Sequence, residues 1–212
     1  MKKSRLGLVQ TDMLSILTQD EMSNFKHEFL KKGSVIYADN MKLVIITIGS
    51  AKIAFFEDGE EFIIYNLTDQ NTTIIDDSCA IEILEDSEVY TIDDSAIGEL
   101  FSNNEFAKFY SETLTNILLI QRQIMKSILF ENAKGRIANF LIELANEQDL
   151  MQNGYKFVFL PFSLKILSSF VGLKRQSAST AFNELIKDGI IQKISPHELL
   201  IVDYEKLKSY TN

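Results

Sequence analysis

The chain has 212 residues, of which 46% are hydrophobic and 24% are charged, and its formal net charge at pH 7 is −9. No apolar stretch approaches the ~20 residues that cross a bilayer. Residues 1–14 lack the apolar core of an export signal, so we expect a cytoplasmic protein with no membrane partner. The single cysteine excludes an intramolecular disulfide and, with only two histidines, argues against a Cys/His zinc site and an iron–sulfur cluster.

The negative charge is concentrated in the N-terminal part of the chain. Residues 1–130 contain 11 Lys and Arg against 21 Asp and Glu, whereas residues 131–212 contain 10 against 9. An acidic N-terminal part repels DNA, and a nearly neutral C-terminal part can approach it. We therefore expect nucleic-acid binding, if the chain has it, in the C-terminal part, with a shallow salt dependence.

The N-terminal pattern changes from helical to β. Residues 11–31 are expected to form one or two short helices, the second capped by Thr18 or Asp20. From Gly33 to Asp93 short β segments alternate with turn signals, among them Asp58–Gly59 between two apolar runs. Strands at this spacing, with no helix between them, indicate an antiparallel barrel or sandwich.

A long helical pattern follows at residues 96–131. Apolar positions at alternating spacings of three and four predict a coiled-coil seam in which Gln121 is the polar member that can fix the register. The alternative is a helix buried within one chain. The seam and the positions that widen it are Leu114, Ile117, Leu118, Gln121, Ile124, Met125 and Ile128. A further helix is expected at residues 132–148, with Gly135 as a hinge near its start.

The stretch LPFSLKILSSFVGLKRQSASTAFNEL, residues 160–185, predicts two short helices joined by a tight turn. Ser163 can cap the first helix, and Gly172 permits the positive φ of the turn. The second helix carries an apolar stripe of Ala178, Ala181, Phe182 and Leu185. Its other face presents Lys174, Arg175, Gln176, Ser177, Ser179 and Thr180. Such a row suits base edges in the major groove, whereas the alternative is an ordinary helical hairpin with a solvated face.

Residues 190–202 then predict two strands around a turn at 195–198, followed by a short terminal helix from Asp203. A β-hairpin after a helix-turn-helix is the layout of a winged helix. The stretch LPFSLKILSSFVGLKRQSASTAFNELIKDGII resembles the DNA-binding domain of the Crp/Fnr superfamily of bacterial transcription regulators. KKGSVIY at residues 31–37, Gly49 and EDSEVYTID at residues 85–93 resemble the sensor barrel of that family.

The resemblance implies an α+β fold in three parts. Residues 1–103 would form an antiparallel, jelly-roll-like β-barrel, residues 104–132 a dimerisation helix and hinge, and residues 133–212 the winged helix-turn-helix. It further implies a homodimer that binds a palindromic operator in double-stranded DNA, with RNA polymerase as a second partner.

The resemblance also suggests roles at the DNA. Arg175 aligns with the leading recognition arginine of the family and is expected to contact guanine. Gln176 stands where many members have Glu, and Gln favours adenine. Thr180 stands where some members have a second Arg. The full set of expected DNA contacts is Lys174, Arg175, Gln176, Ser177, Ser179 and Thr180, with Ser163, Lys193 and His197 as weaker candidates for phosphate.

One departure from the family concerns its ligand. Members that bind cyclic nucleotides hold the phosphate with a Gly-Glu pair and a later Arg. The corresponding residues 66–80, NLTDQNTTIIDDSCA, contain neither Gly nor Arg but three carboxylates. A buried phosphodiester needs backbone N–H donors and a cation. We therefore expect regulation that does not depend on a cyclic nucleotide.

Three alternatives remain open from the sequence. A haem-dependent sensor of gases or nitrosative stress would need an axial ligand, for which the candidates are Met13, Met22, His27, Met41 and Cys79. We expect no cofactor, and the acids beside Cys79 make it a poor redox switch. An adaptor whose winged helix binds protein instead of DNA is the second alternative. An enzyme is the third, but the chain lacks a catalytic triad, a phosphate loop and metal-ligand spacing.

Overall fold

The computed structural model describes residues 8, 10 and 12–211, and the chain divides into two units, Met1–Arg122 and Gln123–Asn212. The expectation that residues 1–14 hold no export signal falls mainly on residues outside this described part. No helix in the described part has both the length and the apolar character needed to cross a membrane.

Antiparallel strands build the first unit. They are β1 (Lys26–Leu30), β2 (Val35–Ile36), β3 (Lys42–Ile48), β4 (Ala51–Glu57), β5 (Glu60–Leu67), β6 (Asn71–Ile75), β7 (Ala80–Ile83) and β8 (Ser87–Asp93). One sheet has the order β1-β8-β3-β6 and the other β2-β7-β4-β5, with every neighbouring pair antiparallel. The predicted fold class is confirmed as a jelly-roll-like pair of sheets, and among the described residues no strand pairing closes them into a continuous barrel.

Strand β3 shows how the sheets are packed. Leu43 and Ile45 join a buried cluster with Met13 and with residues of the helices on the outside of the sheet. Val44 and Ile46 are also fully buried, and alternation along a strand places them on the opposite face. Both faces of this strand are therefore covered, which explains its nearly continuous apolar sequence.

The segment before the sheets corrects part of the sequence prediction. A 3-10 turn covers Leu14–Ile16, and α1 (Gln19–Met22) is capped by Thr18, as predicted. The helical prediction for residues 26–30 was wrong, because these residues form β1 and pair with β8 along their whole length, with His27 opposite Tyr90. Pairing with a neighbouring strand overrides a local helical pattern.

Six further helices complete the described chain. They are α2 (Asp94–Leu100), α3 (Asn104–Phe130), α4 (Ala133–Gln148), α5 (Leu164–Val171), α6 (Arg175–Lys187) and α7 (Tyr204–Ser209). The long helix predicted at 96–131 is confirmed, with a short break between α2 and α3. The boundary between the two units falls inside α3.

Gly135, which was predicted to be a hinge, has a packing reason to be glycine. It lies in the first turn of α4, where its amide donates to the Asn132 side chain, 2.9 Å away. A Cβ at this position would lie 2.7 Å from the carbonyl oxygen of Tyr210. The residue is therefore glycine because the backbone near the end of the chain approaches α4 closely.

A third antiparallel sheet belongs to the second unit. Its strands are β9 (Leu150–Gln152), β10 (Tyr155–Phe159), β11 (Ile191–Ser195) and β12 (Glu198–Ile201), in the order β11-β12-β10-β9. The predicted wing is confirmed as the β11–β12 hairpin. The β9–β10 hairpin was missed, although its turn, Asn153–Gly154 with φ of 52° and 82°, carries the Asn-Gly signal of a two-residue turn.

Candidate nucleic-acid interface

The helix-turn-helix forms as its sequence predicts. Ser163 caps α5, its hydroxyl accepting from the amide of Ile166 at 3.5 Å. Gly172 ends that helix with φ 63° and ψ 42°, and the amides of Gly172 and Leu173 both donate to the carbonyl of Ser168. This left-handed cap reverses the chain within two residues and so directs it into α6.

Helix α6 buries its predicted apolar stripe and exposes its first turn. Ala178, Ala181, Phe182 and Leu185 are buried, and the helix packs on α4 and α5. Ser179 is half-buried, and the exposed polar residues are Lys174, Arg175, Gln176, Ser177 and Thr180. No acidic residue lies in the first turn, and Lys174, at the N-cap position, makes no side-chain capping bond. The first turn therefore presents two adjacent cations and several hydrogen-bonding groups to solvent.

Lys134, which the sequence did not single out, adds to this surface. With Asn132 and Ala133 at the start of α4 it lines an open groove, whose other wall includes Gln176 and Thr180 of α6. Its ammonium group lies 3.0 Å from the Glu184 carboxylate and 3.3 Å from that of Asp188. Hydrogen bonds to Glu184 and Asp188 raise the pKa of Lys134. The two acids of α6 are thus paired, so they offset less of the charge of its first turn.

The weaker phosphate candidates lie at the wing. Ser163 and Lys193 line a small cavity of about 90 Å³ that the wing and the helix-turn-helix share. His197 Nδ1 lies 2.9 Å from the carbonyl oxygen of Leu160, whose amide donates to the carbonyl of His197 at 2.7 Å. A carbonyl only accepts, so Nδ1 carries a proton. His197 therefore ties the wing turn to the start of the helix-turn-helix.

Helix α3 carries two parallel stripes at coiled-coil spacing. Leu114, Leu118, Met125 and Ile128 are 42%, 48%, 59% and 41% exposed, and Gln121 is also exposed. One position earlier along the helix, a second stripe of Thr113, Ile117, Ile120, Ile124 and Ser127 is buried. Ile117 and Ile124, which were predicted for the seam, are therefore buried, and the exposed stripe has spacings of four, three, four and three.

The segment that would hold a nucleotide phosphate consists of two tight turns around β6. The Asp69 carboxylate accepts from the amide of Gly49 at 2.7 Å, and the Asp76 carboxylate accepts from the amide of Ser78 at 3.0 Å. The hydrogen bonds from Ser78 hold the pKa of Asp76 below its ordinary value. Both carboxylates thus stabilise turns, and a carboxylate has the wrong sign to hold a phosphate.

The candidate haem ligands are occupied by protein neighbours. His27 Nε2 lies 2.8 Å from Glu88 Oε1, and its ring stacks on Tyr90 at 4.3 Å. The sulfur of Met13 accepts from the Thr72 hydroxyl at 3.8 Å, and that of Met41 accepts from the hydroxyl of Tyr110 at 3.8 Å.

Cys79 and Met22 add no ligand set. Burial raises the pKa of the Cys79 thiol, and the charge of Asp76 raises it further, so the thiolate is disfavoured. Met22 ends α1 and is partly exposed. Within residues 12–211 no group of three or more His, Cys, Asp and Glu side chains is placed to hold a metal ion.

Comparisons with known proteins show what this geometry is similar to. Residues 135–210 match the family model described as a Crp-like helix-turn-helix domain. The comparison with curated proteins returned no match. Among solved structures, a mutant of CooA from Carboxydothermus hydrogenoformans is similar with a TM-score of 0.82, at 19% identity, over 96% of this chain and 97% of that one.

Two further regulators share the fold at similarly low sequence identity. FixK2 from Bradyrhizobium japonicum has a TM-score of 0.67 at 17% identity, over 89% of this chain and 98% of that chain. CLP, the c-di-GMP responsive global regulator of Xanthomonas campestris, has a TM-score of 0.70 at 17% identity, over 89% of this chain and 97% of that chain. Residues 135–210 thus match a Crp-like helix-turn-helix domain, and the chain shares its fold with these regulators.

Proposed function

We propose that the protein is a cytoplasmic, homodimeric regulator that reads a palindromic operator with the first turn of α6, without needing a cyclic nucleotide. The observation that carries this proposal is the exposed row of donors and acceptors at residues 174–180, with no acid in the first turn. The helix N-terminus adds partial positive charge at the same place, which favours the approach of phosphate.

Each side chain of this row has a proposed role. Arg175 forks onto the O6 and N7 acceptors of guanine, and Gln176 pairs with the N6 and N7 groups of adenine. Ser177, Ser179 and Thr180 flank these contacts and bind phosphate or a base edge. Lys174 and, at the wing, Lys193 neutralise phosphates, while Ser163 and His197 keep their capping and tethering bonds and contribute at the edge of the surface.

The proposed partner for α3 is the same helix of a second copy. The exposed stripe from Leu114 to Ile128 has the spacing of a two-stranded seam, and the helix is long enough for two heptads of contact. Gln121 lies at its centre, where paired amides would fix the register. Two recognition helices held by such a dimer meet half-sites about one DNA turn apart, which requires a palindromic operator.

Independence from cyclic nucleotides rests on the segment around β6. Its carboxylates Asp69 and Asp76 are engaged in turns, and the segment has no Arg or Lys. The likeness to CooA raises haem sensing as the alternative, since a second CooA structure from Carboxydothermus hydrogenoformans is described as a CO-dependent transcription factor. His27, paired with Glu88, gives that alternative no support in this chain. RNA polymerase is the proposed further partner at the promoter.

Selection from a random DNA pool tests the proposal. The absorption spectrum of the purified, ligand-free protein is recorded first, and the selection is run without and with cyclic nucleotide. We expect a colourless dimer that enriches a palindrome to the same degree in both runs. A Soret band would replace the proposal with haem sensing. Enrichment of a palindrome only in the run with cyclic nucleotide would contradict nucleotide-independent binding. Failure to retain any DNA, even at low salt, would favour the protein-binding adaptor.

A further inference from the structure

Arg136 joins the end of helix α3 to the turn of the helix-turn-helix, all within the second unit. Its Nη2 donates to the carbonyl oxygen of Ile128 at 2.8 Å, and its Nε donates to that of Glu131 at 3.2 Å. Its Nη1 donates to the carbonyl of Gly172 at 3.1 Å and reaches that of Val171 at 3.5 Å. One guanidinium thus contacts four backbone carbonyls from two separate parts of the chain.

These carbonyls are ones that helices leave without partners. Ile128 lies in the last turn of α3, and Val171 and Gly172 end α5. The last four carbonyls of a helix have no intrahelical donor, and they carry the negative end of the helix dipole. The planar fork of Arg can serve several such acceptors at once, which the single ammonium of Lys cannot reproduce.

Other side-chain hydrogen bonds also hold the end of α3. The Glu131 carboxylate accepts from the Ser127 hydroxyl, four residues earlier, and from the side-chain amide of Asn139 in α4 at 3.2 Å. Asn132 caps α4 immediately after the break. These bonds join α3 to α4, whereas within the described residues Arg136 alone adds side-chain hydrogen bonds from this junction to the carbonyls of the recognition turn.

We infer that Arg136 is a positioning residue that fixes the recognition helix relative to the end of the dimer helix, and so sets the spacing between half-sites. Gly172 is followed by Leu173 and Lys174 and then by α6, so a carbonyl held at Gly172 constrains where α6 begins. This inference rests on the proposed function, because spacing has a meaning only if two copies bind one operator. Arg136 itself does not need to touch DNA.

The test compares spacing preference with half-site affinity. The wild-type protein and Arg136→Met are presented with operators whose two half-sites are separated by every spacer length across about one helical turn. We expect the preference of Arg136→Met for the best spacing over a spacer one base pair longer to fall about tenfold, as expected for losing a set of charge-assisted bonds. Affinity for a single half-site should change less than about twofold.

Matched variants separate positioning from folding and charge. Lys208→Met removes an exposed cation of α7 with no side-chain bond to any described residue, and it should leave the spacing preference unchanged. If Arg136→Met does not fold, Arg136→Lys keeps the charge and is expected to lose part of the preference. An unchanged preference, or an equal loss of half-site affinity, would overturn the inference, whereas a wild-type protein without any spacing preference would overturn the dimeric operator itself.

Discussion

The barrel segment around β6 and the first turn of α6 hold their polar groups in opposite ways. In the barrel, Asp69 and Asp76 accept from backbone amides, and Tyr65 bonds to Thr73 at 2.6 Å between the two sheets. On α6, the side chains at positions 174–177 and 180 make no hydrogen bond to any described residue. Polar groups satisfied by their own chain stabilise a fold, whereas an exposed row without partners is available to a ligand.

The same contrast appears in the similarity to other proteins. The family model matches residues 135–210, in the C-terminal unit, while the N-terminal unit is related to known regulators by its fold. A barrel fold can be kept while the site inside it changes, since function resides in sites carried by a fold. The contrast is consistent with the proposal that the C-terminal unit reads DNA and that the N-terminal unit needs no cyclic nucleotide.

The largest expected effect comes from a substitution in the hydrophobic core that supports α6. Phe140 of α4 is fully buried, and its ring lies 5.3 Å from that of Phe170 and 5.8 Å from that of Phe162. Phe140→Ala should lower the free energy of unfolding by about 3–5 kcal/mol, because a large cavity remains in the core. Denaturant titration measures this loss, and the half-exposed Phe159→Ala is the control. Equal losses in the two variants would contradict the packing described.

The next effect concerns the proposed dimer seam. Leu118→Glu would place two carboxylates against each other in the seam, so we expect the dimer dissociation constant to rise about a hundredfold or more, near 3 kcal/mol. Thr115→Glu, an exposed position off the stripe, should have little effect. Sedimentation at several concentrations measures both variants. Dissociation by Thr115→Glu alone would show that a different face of α3 pairs.

A smaller effect concerns one base contact. Arg175→Ala should weaken operator binding by about 1–3 kcal/mol and relax the preference at one base pair per half-site. Competition binding against operators with each single substitution measures this. The control is Lys187→Ala at the last turn of α6, where we expect uniform weakening at most. A variant that keeps the full base preference would remove Arg175 from the reading surface.

The smallest effect concerns the buried hydrogen bond between Tyr65 and Thr73 in the N-terminal unit. Tyr65→Phe deletes one partner of the buried Tyr65–Thr73 bond and should cost about 1–2 kcal/mol in unfolding free energy, because the Thr73 hydroxyl is left unsatisfied. Adding Thr73→Val should recover part of that loss, and operator affinity should not change. A double-mutant cycle measures the coupling. Additive losses would mean that the two hydroxyls have other partners.

Local signals were sufficient where the structure is local. The sequence predicted the Ser163 cap, the turn at Gly172 and the buried stripe of α6. Caps, left-handed turns and helical periodicity depend on residues only a few positions apart. The two stripes of α3 could not be separated, since Ile117 and Leu118 are equally apolar and only packing decides which is buried.

Tertiary contacts explain the other differences. Residues 26–30 form a strand through pairing with β8, which follows 57 to 65 residues later in the chain. Position 135 is glycine because the carbonyl oxygen of Tyr210 lies close to it, and no neighbouring residue in the sequence predicts that contact. Arg136 was missed because its partners are backbone carbonyls, which every residue possesses and no sequence pattern marks. Lys134 likewise meets α6 only in the folded chain.

The claim that the first turn of α6 reads the operator is tested most directly by a switch of specificity. Random-pool selections are run in parallel with the wild-type protein and with Gln176→Glu, which exchanges an amide for a carboxylate of the same shape. Gln pairs with adenine and Glu accepts from cytosine. We predict that the preferred base changes from adenine to cytosine at one position in each half-site while the rest of the palindrome is kept. Identical selected sequences would contradict the claim.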